Sequence, residues 1–262
     1  MNTSGYIAIL AAIFFMAVAI VVHRAGYRRY IMLASLLSVG YVAGYRWVES
    51  GHPPMLGTFE ETILAALTLI TASLLVDRRK SVFATYMLGM GIFVLLYGLF
   101  FDTQIRPLVI SEQSLLVYFH VLFAWIGYGL YTLCFLSALY VLVSAAGRKE
   151  AMVRWALERG LLYGITAQSI SFFTGSYYSS RLHGSWWVWD TVEYLFLISW
   201  FLYAVALHGR ILLGWGEKKV AGWIVAAFVV TIVLYWGLVY IPWTTYHVFD
   251  MEIKIHVPLG NP

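Results

Sequence analysis

The chain has 262 residues, of which 61% are hydrophobic and only 11% charged, with a mean hydropathy of +0.79. A water-facing surface needs far more charge than that, so a soluble globular domain is excluded. The net charge of +4 lies in short loops between apolar runs, where it reads as a topology signal and not as a nucleic-acid surface.

The apolar runs have spanning length, roughly 20 residues each. Eight are expected: about Tyr6 to Val22, Tyr30 to Tyr45, Phe59 to Val76, Val82 to Phe101, Ser114 to Ala145, Leu161 to Thr174, Thr191 to Leu213 and Val220 to Ile241. The sixth is short and rich in Gly, Ser and Thr, and the basic stretch before it, with Arg148, Lys149, Arg154 and Arg159, reads as an amphipathic surface segment. The fold class is therefore all-α, a polytopic integral membrane protein of about eight helices forming a single membrane domain over residues 1–262. Arginine- and lysine-rich loops follow runs one, three, five and seven. The positive-inside rule then places both termini, and the segment 175–193 between runs six and seven, on the external face.

That segment holds Gly184-Ser185-Trp186-Trp187-Val188-Trp189-Asp190, three tryptophans closed by an acid. Two readings stand: an aromatic belt at the membrane surface, or a platform for a flat ligand held by stacking. Seven histidines accompany it. His120 lies in the outer part of the fifth run, His247 follows the eighth, and both fall on the tryptophan side. Two neutral imidazoles on opposite faces of a flat aromatic ligand are how a protein ligates haem iron, although either could instead be an interfacial hydrogen-bonding residue. Asp190 and Glu193 could orient a histidine or arginine. His208 sits toward the inner end of the seventh run, His183 touches the tryptophans, and His23, His52 and His256 lie at run ends or in loops. Cys134 falls mid-run and reads as a small packing residue. The sequence has no phosphate-binding glycine loop, no Cys-x-x-Cys, no His-Glu-x-x-His and no nucleophile elbow.

The stretch Gly184 to Asp190 resembles the WWD signature of haem-handling proteins in cytochrome c maturation. Its continuation through Glu193, Trp200 and Leu207-His208-Gly209-Arg210 is similar to the CcsA (ResC) type. So is Gly51-His52-Pro53-Pro54 through Phe59-Glu60, together with the order His120, tryptophan loop, His208, His247. The sequence departs from the family pattern in reading Asp190-Thr191-Val192-Glu193 where Asp-Pro-Lys-Glu is usual, and in placing His183 where a Trp is usual. The resemblance implies a subunit of a cytochrome c synthase (haem lyase) in a bacterial-type cytoplasmic (inner) membrane. Haem b would be bound as substrate, presented outside, and attached to the Cys-x-x-Cys-His of apocytochrome c with a CcsB/ResB-like partner. It further implies that His120 and His247 are the external iron ligands and that His208 is an intramembrane ligand whose companion comes from the partner. Gly184, Trp186, Trp187, Trp189, Asp190 and Glu193 would form the haem-binding loop. No catalytic residue is expected, because the substrate's own thiols supply the nucleophiles. Arg210 could meet haem propionates, or serve topology alone. The alternatives are a haem-delivery chaperone of the CcmC type without ligation, and a membrane b-type cytochrome in quinone electron transfer.

Overall fold

The computed structural model describes residues 1–22, 25–77, 82–105, 108, 112–144 and 151–234. Helices account for nearly all of them: α1 (Thr3–Val21), α2 (Ala25–Ser50), α3 (Thr58–Val76), α4 (Val82–Gly98), α5 (Leu115–Val143), α6 (Ala151–Trp155), α7 (Leu161–His183), α8 (Thr191–Ile211) and α9 (Glu217–Ile232). A π-helical turn, Ala156–Gly160, joins α6 to α7 without a break. Five of these helices, α1, α2, α3, α5 and α8, are long and apolar enough to cross a membrane; α4 is apolar and shorter. The chain is an all-helical membrane protein.

Small polar caps start α1 and α5. The Asn2 side chain accepts from the Gly5 N–H, and that of Ser114 from the Leu116 N–H. α7 runs nine residues beyond its expected end, to His183. Its hydroxyls do not break it, because they return their hydrogen bonds to the preceding turn: Thr166 to the Leu162 carbonyl, Ser169 to Ile165 and Thr174 to Ile170.

Two apolar clusters form the interior. One joins α1 and α2 to α3 and α4; the other joins α3, α4 and α5 to the π turn, α8 and α9. In the second, the rings of Tyr131 (α5) and Tyr203 (α8) stack 3.5 Å apart, at 1% and 0% exposure. Cys134 is buried and donates to the Ala156 carbonyl of the π turn at 3.1 Å, a packing role.

Buried ion pairs brace the two ends of the first cluster. At one end the Arg46 guanidinium donates to Glu60 Oε1 (2.9 and 3.1 Å) and to the carbonyls of Thr103 and Gln104. Glu60 Oε2 accepts from the Leu56 N–H. One arginine thus joins the end of α2, the start of α3 and the connection leading to α5. The amino terminus reaches the same Thr103 carbonyl. At the opposite end Arg28 lies 3.6 Å from Asp77 and donates to Thr85 Oγ1.

Candidate functional site

The tryptophan segment is a short irregular loop, 184–190, between two helix ends that determine its shape. Gly184 closes α7 in the left-handed region (φ 73°), which a glycine adopts without penalty. Asp190 then caps α8, its Oδ1 accepting from the Glu193 N–H at 2.9 Å. Glu193 reaches back, and its Oε2 accepts from the N–H groups of both Val188 (2.9 Å) and Trp189 (2.6 Å). This is a widened form of the capping box, in which the helix-start acid satisfies backbone donors ahead of the cap. Both acids are buried, at 6% and 7% exposure. Through these bonds both acids hold the loop backbone. Ser185 contributes too: its carbonyl accepts from Ser179 Oγ, and its own Oγ donates to the Trp187 carbonyl.

So held, the loop fans its indoles apart. Trp186 stands 61% exposed beside Tyr177, ring centroids 5.8 Å apart. Trp189, at φ 60°, is 58% exposed and lies 5.4 Å from the ring of Tyr194. A non-glycine residue there carries backbone strain, the kind that persists where its surroundings over-determine it. Trp187 turns inward against Phe172 (5.3 Å) and Trp189 (5.9 Å). Its indole N–H is buried and has no acceptor among the described residues. The result is a half-open aromatic shelf with a spare hydrogen-bond donor at its root, which fits a flat ligand bearing carboxylates.

His120 lies in the second turn of α5, against α7. Its Nδ1 is 2.8 Å from the Ser171 carbonyl and 3.1 Å from Ser171 Oγ, and that hydroxyl donates to the His120 carbonyl. A carbonyl can only accept, so Nδ1 carries the proton and Nε2 carries the lone pair in the neutral ring. That is the tautomer a metal-binding imidazole needs, fixed in the usual way by a hydrogen bond to its other nitrogen. Gly175 makes room: a Cβ there would lie 2.7 Å from Nδ1 and 2.8 Å from Cε1. Ser171 precedes Phe172, which packs on Trp187. One turn of α7 therefore touches both the histidine and the shelf.

His208 is at the far end of α8 from the loop, exposed on the outside of the bundle. Its Nδ1 donates to the Ala204 carbonyl at 2.8 Å, which again leaves the lone pair on Nε2. Arg210, nearby, is engaged: it donates to Glu158 Oε1 (2.8 and 3.1 Å) and to the Trp215 carbonyl. This structural engagement favours its plain topological role. His52 is buried, with Nδ1 3.1 Å from the Pro53 carbonyl, and His183 is exposed at the last residue of α7. His247, His23 and His256 lie outside the described residues. The structure thus brings His120, Gly184, Trp186, Trp187, Trp189, Asp190 and Glu193 to one end of the bundle and puts His208 at the other. Sequence reasoning missed Ser171, Gly175, Phe172, Tyr177 and Tyr194. Only the i, i+4 spacing of Ser171 and Gly175 hinted at a face for α7.

Comparison with known proteins bears on the family of the chain. Over 243 residues the chain is 22% identical to the cytochrome c biogenesis protein CcsA of Guillardia theta, covering 79% of this chain and 80% of that one. It is 39% identical over 80 residues to the CcsA of Prochlorococcus marinus strain NATL2A, and that match spans 30% of this chain and 25% of the relative. Among solved structures it is similar in fold to the cytochrome c haem lyase CcmF, with a TM-score of 0.68 at 15% identity. That likeness covers 90% of this chain and 47% of the lyase, so the chain spans about half the length of that protein. The family model described as cytochrome c assembly protein matches residues 55–243, well over half of the chain, which therefore belongs to the cytochrome c assembly proteins.

Proposed function

We propose that the chain binds haem b as its cargo, presents it on the external face of a bacterial-type inner membrane, and with a CcsB/ResB-like partner attaches it to the Cys-x-x-Cys-His of apocytochrome c. The observation that carries this reading is His120: its metal-binding tautomer is fixed by the same turn of α7 that supports the tryptophan shelf. The positive-inside rule supports the external placement, since basic loops alternate with the loop end of the bundle.

The chain's own residues hold and orient. Trp186 and Trp189 offer faces to the macrocycle, and the Trp187 N–H offers a bond to a propionate. His120 and His247 would take the iron from its two sides. The apocytochrome's histidine would displace one of them, bringing both thiols beside the vinyl groups. Each thiol then adds across a vinyl C=C. An S–C bond forms, the thiol proton ends on the other vinyl carbon, and there is no net change in oxidation state. The chain needs no nucleophile, and positioning is its contribution. His208, outward-facing with its lone pair on Nε2, suits an iron shared with an imidazole from the partner.

Purified with such a partner, the full chain is expected to carry haem with bis-imidazole optical bands. His120→Ala and His247→Ala should each deplete the external pool and stop maturation, scored as covalent haem in a host lacking its own maturation genes. Full maturation by the double variant without added imidazole would falsify the ligand assignment.

A further inference from the structure

α7 turns Gly164, Gln168, Ser171 and Gly175 toward α5, at helical spacings of four and three. The two glycines receive bulk from α5. A Cβ at Gly164 would lie 2.7 Å from the Tyr131 ring, and one at Gly175 the same distance from His120 Nδ1. Gln168 reverses the pattern and reaches across into α5. Gly127 makes room for it: a Cβ there would lie 2.7 Å from both Cγ and Nε2 of the glutamine.

The Gln168 side chain is buried, at 1% exposure. Its Nε2 donates to the Ala124 carbonyl at 3.1 Å. Its Oε1 is buried with no donor among the described residues. An unpaired buried acceptor costs at least what one amide bond returns, so stability alone gives no reason for an amide here. Methionine would fill the same space without a strong polar atom. The bond that Gln168 makes falls one turn beyond the Ser171 clamp. Ser171 Oγ donates to the His120 carbonyl at 2.9 Å, and the Ala124 carbonyl is the next in the same row along α5. α7 thus grips two successive turns of α5. The pegs point both ways, Gln168 into α5 and His120 with Tyr131 into α7, and this admits one register. Sliding by a turn would set Gln168 against Ala124 or Tyr131 in place of Gly127.

We infer that Gln168 is a positioning residue for iron ligation by His120: it holds α5 at one height and rotation against α7, keeps Nδ1 on the Ser171 carbonyl, and so sets the direction of Nε2. It acts through the backbone of α5, four residues beyond the histidine. This rests on the haem reading above and adds to it what aims the imidazole.

The test uses the full chain, co-expressed with a CcsB/ResB-like partner in a haem-producing host and purified in detergent. A His120→Ala background assigns the external haem, and His208-dependent haem is the internal reference. Gln168→Met keeps the shape and removes the donor. Thr166→Val, which removes a hydroxyl bonded within α7, is the control. Gln168→Met is expected to melt at the parental temperature or above, because the orphaned acceptor leaves with the donor. Its His120-dependent haem should dissociate several-fold faster. The electron paramagnetic resonance g-values of that haem should also move, since a turned imidazole changes the ligand field at iron. The His208-dependent haem and the Thr166→Val protein should match the parent. Gly127→Ala crowds the same amide from the other helix and should move the same g-values, so it decides the matter if Gln168→Met does not accumulate. Parental g-values and dissociation in these variants would overturn the positioning role. So would a lowered melting temperature with both haem pools lost together, which marks a general packing role. A parent chain without haem, or a His120→Ala chain that keeps its external haem, would overturn the haem reading itself, and the positioning role with it.

Discussion

Gly175 matters for the side chain it lacks. Its Cα faces the His120 ring so closely that a methyl group would lie 2.7 Å from Nδ1. Gly175→Ala is therefore expected to push the imidazole off the Ser171 carbonyl and lower external haem occupancy, while thermal unfolding changes little because the residue is in a helix that favours alanine. A haem titration beside a melting curve separates the two effects. Ser171→Ala is milder. It removes the hydroxyl bonded to His120 but leaves the carbonyl that fixes the tautomer. Haem affinity should fall by about tenfold, the lower end of what loss of a ligand's supporting bond gives. Neither residue was legible in the sequence. Their role depends on which face of α7 meets α5, and a Gly/Ser/Thr-rich run has too little apolar periodicity to declare a face.

The element on which sequence and structure agree most closely is α8. Its start at Thr191 and the Asp-x-x-Glu pattern at its head are visible in the residues alone. What the pattern does there is less obvious, because Glu193 bonds Val188 and Trp189 and not the cap residue itself. Glu193→Ala would leave two backbone donors without that acceptor and release the strained Trp189. A loss of about 1–3 kcal/mol of local stability is expected, from the bonds to a charged group. Faster proteolysis within 184–190 would report it, and Glu193→Gln should recover part of it by restoring one acceptor. Each of the eight apolar runs reappears as a helix among the described residues, because hydropathy is a local property. The sixth extended further than expected, because hydroxyl residues bond back into their own helix and so count as less polar than composition suggests.

Across the whole molecule, the Arg46–Glu60 pair does more than join two neighbours. Through the carbonyls of Thr103 and Gln104 it also holds the start of the chain's path from α4 to α5, the helix that carries His120. Glu60→Ala would strand a buried guanidinium and should destabilise the fold by about 3–5 kcal/mol. It should also loosen haem at a site it never touches. Thermal melts in detergent and haem retention on dilution would measure the two effects, and Glu60→Asp, which keeps the charge, should be intermediate. The π-helical turn at 156–160 bears on the same alignment. Such a turn holds one residue more than an α turn, so it is a place where the chain can shorten by one and simply become regular. A single deletion inside it should leave the rest of α7 in phase. The same deletion at Phe173, an exposed position between Ser171 and Gly175, would swing Gly175 by about 100° around the helix axis. One lost codon would be silent in the first place and blinding in the second.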